Sequence, residues 1–320
     1  MTFLTGQPFL YFVEVFMIQI IAMAGSLLAA CIWGLAFVVM KDGLTQISAA
    51  YMIAIRFTVA AIIIGLVFIK RLKKINLSYI KKASLIGLFV FFAYLFQTIG
   101  CNYTSPGKNA FLSTAFVILL PLYSWLVLRK RPSVFVFAAV VLQMLGIALL
   151  SLGHDITEGI KFSLGDWLTL LCAFFYCLQM FYQSYYSKNS QEDDPFVYAF
   201  VQFVAAAILS WITALFYDGQ NNCLTLNLQL LSVSDLCSRG FLLSLVYLGV
   251  FSTAVALALQ NIGLKYLKPS LATILLSFES VFGMLFSILI PVNGVRETVT
   301  IWGLIGCALM VLAVILAQKE

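Results

Sequence analysis

Residues 97–106 read Gln-Thr-Ile-Gly-Cys-Asn-Tyr-Thr-Ser-Pro, and residues 260–269 read Gln-Asn-Ile-Gly-Leu-Lys-Tyr-Leu-Lys-Pro. Gln, Ile, Gly, Tyr and Pro recur at five of ten positions with an offset of 163. A second echo, Gly-Ile-Ala-Leu-Leu from Gly146 and Gly-Cys-Ala-Leu-Met from Gly306, has an offset of 160. A fixed offset is the mark of an internal repeat. Shared polar and turn residues argue against chance similarity between low-alphabet apolar segments.

Both copies of the ten-residue stretch leave an apolar segment and end at a proline. Such segments fill the chain. Of 320 residues, 62% are hydrophobic and 10% are charged, and the mean hydropathy is +1.03. Soluble domains run near 45–50% apolar and about 25% charged. The composition excludes an ordinary soluble enzyme, a disordered chain and a nucleic-acid binder. A membrane-spanning helix needs about 20 mostly apolar residues. Ten segments qualify: 21–40, 47–69, 83–103, 107–128, 134–153, 164–186, 195–217, 240–262, 269–291 and 299–317. The repeat maps the third on the eighth and the fifth on the tenth, so its unit is five spans. Five is odd, so the second copy enters the membrane from the opposite side. The expected fold is an all-α integral membrane protein of ten transmembrane helices in two inverted five-helix repeats, residues 21–153 and 164–317. Residues 1–20 form a preface, of which 1–16 carry no Lys or Arg and so lack the basic region of a signal peptide.

The net charge of +6 reads as topology. With a cytoplasmic N-terminus, the inner loops hold 13 Lys and Arg and the outer loops 5, with Arg56 inside a span. Basic residues collect in cytoplasmic loops, so both termini are expected inside, in the cytoplasmic membrane. Cys31, Cys101, Cys172, Cys177 and Cys307 lie in apolar segments and read as small hydrophobes. Cys223 and Cys237 share a polar loop, where free thiols are favoured over a disulfide. The single histidine, His154, lies in a loop, which removes metal binding and His-based catalysis as leading ideas.

Ionisable groups inside a membrane default to a functional reading. Glu279 lies near the middle of the ninth span, suited to proton coupling or to a cationic part of a substrate; a neutral carboxylic acid bonded between helices is the bland alternative. Arg56 lies nine residues into the second span, as counter-charge to a substrate carboxylate or partner of Glu279, though a structural arginine is favoured. Pro121 sits mid-span in the fourth helix and is expected to kink it. Trp33, Tyr94, Gln97, Tyr176, Gln179, Gln183, Thr253 and Gln260 form a polar and aromatic set. Trp33 and Tyr176 fall at corresponding depths of the first and sixth spans. Tyr94 and Gln97 share a helix face, as do Gln179 and Gln183. Singly each reads as interhelical glue; together they read as a cavity for a small amphipathic or zwitterionic molecule.

These residues also carry a resemblance. Trp33-Gly34, Phe37 and Lys41 are similar to a W-G-x-x-F…K opening. Arg56 stands where an arginine is usual. Residues 102–112 followed by Pro121, and residues 249–256 with Gln260, match signatures of the third-to-fourth and eighth helices. The sequence resembles the drug/metabolite transporter superfamily, specifically the EamA-type permeases, over residues 25–317. The resemblance implies movement of small metabolites, often amino acids or related compounds, without cofactor. One departure is plain. The ninth helix reads Phe278-Glu279-Ser280 where the family carries Glu-Pro, which removes the basis for a proline kink there.

The expected function is therefore secondary transport of a small metabolite by alternating access, driven by proton exchange. No G-x-x-x-x-G-K-[ST] loop occurs, so direct ATP coupling is not expected. A facilitative carrier and a non-transporting membrane sensor are the alternatives. An intramembrane enzyme would need a nucleophile with its base, or a metal set, at membrane depth, and no such set is found. The partners expected are the bilayer and a small-molecule substrate, with no nucleic acid.

Overall fold

A computed structural model describes residues 7–44, 47–104, 106–152, 163–189, 194–219, 239–290, 301–317 and 319. His154, Cys223, Cys237 and Pro291 lie outside them. The helices are α1 (Gln7–Gly43), α2 (Ala49–Val67), α3 (Leu77–Tyr103), α4 (Pro106–Ser113), α5 (Phe116–Leu128), α6 (Val134–Leu152) and α7 (Leu164–Asn189). They continue with α8 (Pro195–Gly219), α9 (Arg239–Val246), α10 (Ala256–Tyr266), α11 (Pro269–Leu276), α12 (Glu279–Leu289) and α13 (Ile301–Ala317). A short 3-10 turn, Arg71–Lys74, precedes α3, and a π-helical stretch, Tyr247–Val255, joins α9 to α10. No strand occurs among the described residues. Residues 7–20 are helical and continuous with the first span, so the preface is not a separate element from Gln7 onward.

Among the described residues, eight helical stretches are long and apolar enough to cross a bilayer, counting α4 with α5, α9 with α10, and α11 with α12 as single stretches. The apolar stretches of α6 and α13, Val134–Leu149 and Ile301–Ala317, fall short of eighteen residues. Burial runs opposite to a soluble protein. Ile62, Leu66, Leu126, Val134 and Phe216 are exposed, whereas Gln143, Gln179, Gln183, Gln202, Gln260 and Asn261 are fully buried. Apolar surface outside and amides inside suit a hydrocarbon solvent, where an unsatisfied polar group facing lipid is costly.

The helices pack in pairs. α3 lies against α7, while α1 lies against α10 and the π stretch. α3 also packs on α8, and α2 on the π stretch. α1 contacts α11 and α12, while α7 contacts α4 and α5. α2 packs on α8 and α6 on α13. Each pair maps onto itself or another pair when every span is replaced by the one five later.

Two spans are broken at counterpart positions. α4 ends at Ser113 and α5 resumes at Phe116; α11 ends at Leu276 and α12 resumes at Glu279. Both runs begin at a proline, Pro106 or Pro269, and both last eight residues. At the first break Thr114 and Ala115 donate their N–H groups three residues back, to Phe111 and Leu112. At the second, Phe278 and Ser280 do the same, to Leu275 and Ser277. Hydroxyls supply further donors: Thr114 Oγ1 to the Phe111 carbonyl (2.7 Å) and Ser277 Oγ to the Ile274 carbonyl (2.8 Å). Local hydroxyl bonds of this kind offer backbone groups an alternative to the helical ladder. The second break thus forms without proline. Pro121, conversely, sits inside continuous α5, and the interruption comes earlier, at Thr114–Ala115.

Glycines allow the closest crossings. A Cβ on Gly146 would meet the Gly306 carbonyl oxygen at 2.6 Å and Met310 Cγ at 2.7 Å. Gly146→Leu is expected to part α6 from α13 at a cost of about 1–3 kcal/mol. Thermal unfolding in detergent checks this.

Candidate functional site

The two breaks and the π stretch converge on one cavity. Its walls include Trp33, Ala36, Phe37 and Met40 of α1, Arg56 of α2, Tyr94 and Gln97 of α3, and Phe116 at the start of α5. Tyr176 and Met180 of α7, Ser252 of the π stretch and Glu279 at the start of α12 complete them. The space between these walls is narrow.

Arg56, 2% exposed, is held in a fork. Nε donates to Thr253 Oγ1 at 3.2 Å and Nη2 to Ser252 Oγ at 3.0 Å. Nη1 lies 4.0 Å from Met40 Sδ, and the guanidinium carbon lies 4.9 Å from the Tyr94 ring centroid. The π stretch is what presents these hydroxyls. A π turn shifts one residue out of helical register and is frequent at functional sites. Here Thr253 Oγ1 donates to the Leu248 carbonyl five residues back (2.7 Å). Trp33 Nε1 donates to the Ser252 carbonyl (2.8 Å), and Tyr247 Oη to the Ile32 carbonyl (2.8 Å), tying the stretch to α1.

Glu279, 5% exposed, opens α12, where the positive end of the helix dipole favours a carboxylate. Its Oε1 faces Ser113 Oγ at 3.4 Å across the two breaks. Ser280 Oγ reaches the Ala110 carbonyl (3.4 Å), and Gln143 Nε2 donates to Ser277 Oγ (2.6 Å). Among the described residues no ion pair joins Arg56 to Glu279.

Aromatic rings line the same cavity. Tyr94 and Tyr176 meet edge to face at 5.8 Å, Phe116 and Tyr176 at 6.2 Å. Tyr176 Oη donates to Gln97 Oε1 (3.0 Å). Six of the residues expected from the sequence thus line one cavity: Trp33, Arg56, Tyr94, Gln97, Tyr176 and Glu279. Thr253 adjoins it through Arg56. Gln179, Gln183 and Gln260 stand apart from the lining. Gln260 Nε2 donates to Gln179 Oε1 (3.0 Å), Gln183 pairs with Gln202 of α8, and Gln183 Nε2 donates to Ser187 Oγ (2.9 Å).

Met40, Phe116 and Met180 join the lining without any sign in the sequence, since apolar residues carry no signal in an apolar chain. Ser252 has one available signal, its adjacency to Thr253. Charged groups close the α1 C-terminal end of the bundle. Lys108 Nζ meets the buried Asp166 carboxylate at 2.7 Å, and Thr104 Oγ1 donates to Asp166 at 2.8 Å. Lys41 Nζ donates to the Cys101 carbonyl (2.6 Å). At the opposite end Lys188 Nζ donates to the Leu267 carbonyl (2.7 Å), and Arg71 pairs with Asp194 (3.1 Å). Cys31, Cys101, Cys172, Cys177 and Cys307 are free thiols.

Apolar spans around an aromatic-lined cavity with a few buried polar groups define a multi-pass helical membrane protein. The EamA-like transporter family matches residues 20–152 and 163–318, two copies that together take up most of the chain. The chain belongs to this family. An uncharacterized transporter of Archaeoglobus fulgidus is 33% identical over 294 residues, covering 92% of this chain and 84% of the relative. A solved protein crystal structure superposes with a TM-score of 0.66 at 18% identity, over 93% of this chain and 96% of its own, a likeness of fold alone.

Proposed function

We propose that the chain is a secondary transporter working by alternating access, with ten spans in two inverted five-helix repeats and both termini in the cytoplasm. The cargo is a small zwitterionic or amphipathic metabolite such as an amino acid, and Glu279 exchanges a proton. One observation carries this reading. Two helices broken at counterpart positions meet at a cavity that holds a buried carboxylate and a buried guanidinium not paired with one another. Broken helices at the repeat interface are where transporters bind cargo. Two unpaired opposite charges flanking aromatic rings suit an ammonium, a carboxylate and an apolar side chain in one molecule. The pairing of helices under exchange of the two copies supports the inverted arrangement, as does the surplus of basic residues on one side. The cavity is narrow in this conformation, so cargo enters as the surrounding helices part.

A thermal-shift screen of purified protein against zwitterionic metabolites tests the reading. Compounds with an apolar side chain should raise the unfolding temperature, and the best of them should accumulate in proteoliposomes under an imposed proton gradient. Absence of any stabilising compound would favour a sensor on the same scaffold. Uptake that ignores the gradient would leave facilitated diffusion.

A further inference from the structure

One polar feature lies outside the cavity. On α7 the cavity-lining Tyr176 is followed by Gln179, Gln183 and Ser187, spaced to share one helix face. This stripe runs from the cavity towards Lys188, away from the end closed by Lys108 and Asp166. Gln260 faces Gln179, and Gln202 faces Gln183. All four amides are fully buried.

Glue between helices satisfies both ends of an amide. Here it does not. Gln179 Nε2, Gln202 Oε1 and Gln260 Oε1 have no partner among the described residues, nor has either polar atom of Asn261 beside Gln260. A buried amide atom without a partner is expensive, and apolar side chains would pack these helices at lower cost. The groups make sense if they meet water or cargo in another conformation. Orphaned atoms occur towards the opposite end too, at Thr98 Oγ1 and Asn109 Oδ1, but that end is bolted by an ion pair and by Lys41 on backbone carbonyls, bonds that are poor ground for a neutral path.

We propose that the amide stripe of α7, with Gln202 and Gln260, is the closed half of the cargo route, a transient second site for neutral hydrogen-bonding groups between the central cavity and the Lys188 end. The proposal rests on the transporter reading above. The basic residues Lys70, Arg71, Lys73, Lys188 and Lys268 fall at this end, which makes it the cytoplasmic one.

The test needs no known cargo. Gln183→Cys is treated with a small membrane-impermeant methanethiosulfonate in right-side-out and in inverted vesicles, and the modified cysteine is located by peptide mass mapping. Met180→Cys, one turn away in the cavity wall, reports whether the cavity opens. Ala60→Cys, in the apolar core, reports loosening of the fold. The expected result is modification of the Gln183→Cys variant from the cytoplasmic side at a rate at least tenfold above Ala60→Cys, with none from the other side. If Met180→Cys reacts and Gln183→Cys does not, cargo takes another path and the proposal falls while the transporter reading stands. If neither reacts from either side, the interior never opens and both fall. Reaction of Gln183→Cys no faster than Ala60→Cys, or equally from both sides, also overturns the route.

Discussion

Glu279→Gln is expected to abolish accumulation driven by a proton gradient while leaving the protein folded. Gln keeps the length and the acceptor that meets Ser113 Oγ at 3.4 Å, so the junction of the two breaks is preserved. What it loses is the ability to take up and release a proton. Burying a carboxylate at this depth costs several kcal/mol by most measures, and the isosteric amide removes that cost. Thermal stability should therefore hold or rise. Uphill uptake in proteoliposomes should fall by about tenfold or more, equivalent to roughly 1.4 kcal/mol or more on the barrier. The residual flux should be independent of pH. Unchanged uptake with unchanged pH dependence would show that the carboxylate is not the coupling group.

Arg56→Ala should damage stability more than any other single change at the cavity. The guanidinium makes two hydroxyl bonds to the π stretch and stacks near Tyr94. Removing it takes the guanidinium donors from Thr253 Oγ1 and Ser252 Oγ in a buried site and vacates the space between α1, α2 and α3. Lost charged hydrogen bonds and a desolvated cation–π contact together amount to about 2–4 kcal/mol. Reversible unfolding in mixed micelles measures the loss. Arg56→Lys keeps the charge without the planar fork, so it should recover stability only in part. If the arginine also meets the cargo carboxylate, the lysine variant should show weaker ligand-induced stabilisation than its own stability predicts.

Much of this site is legible in the amino-acid sequence. In a chain with few ionisable groups, Glu279 and Arg56 stand out because charge inside a membrane needs a reason. Trp33, Tyr94, Gln97 and Tyr176 are marked by polarity at membrane depth. Gln179, Gln183 and Gln260 bear the same mark and lie elsewhere. Spacing along one helix says which residues share a face, but not which neighbour or cavity that face meets. The break before Glu279 is illegible for a different reason. Proline is the usual local sign, and here hydroxyl bonds from Ser277 and a switch to three-residue turns do the same work. Pro121 lies within α5, and the interruption of that span comes earlier, at Thr114–Ala115.

Composition and self-comparison of the chain are enough for the solvent, the all-helical class and the duplication. Burial of apolar residues in lipid is a sum over composition, and a repeat is a comparison of the chain with itself; neither needs coordinates. The π register at Tyr247–Val255, the fork that it offers Arg56, and the separation of Arg56 from Glu279 emerge only in three dimensions. Each depends on contacts between residues some 200 positions apart, such as Trp33 with Ser252 and Arg56 with Thr253. No local pattern encodes contacts at that range, because they are set by how the apolar segments satisfy their few polar groups together.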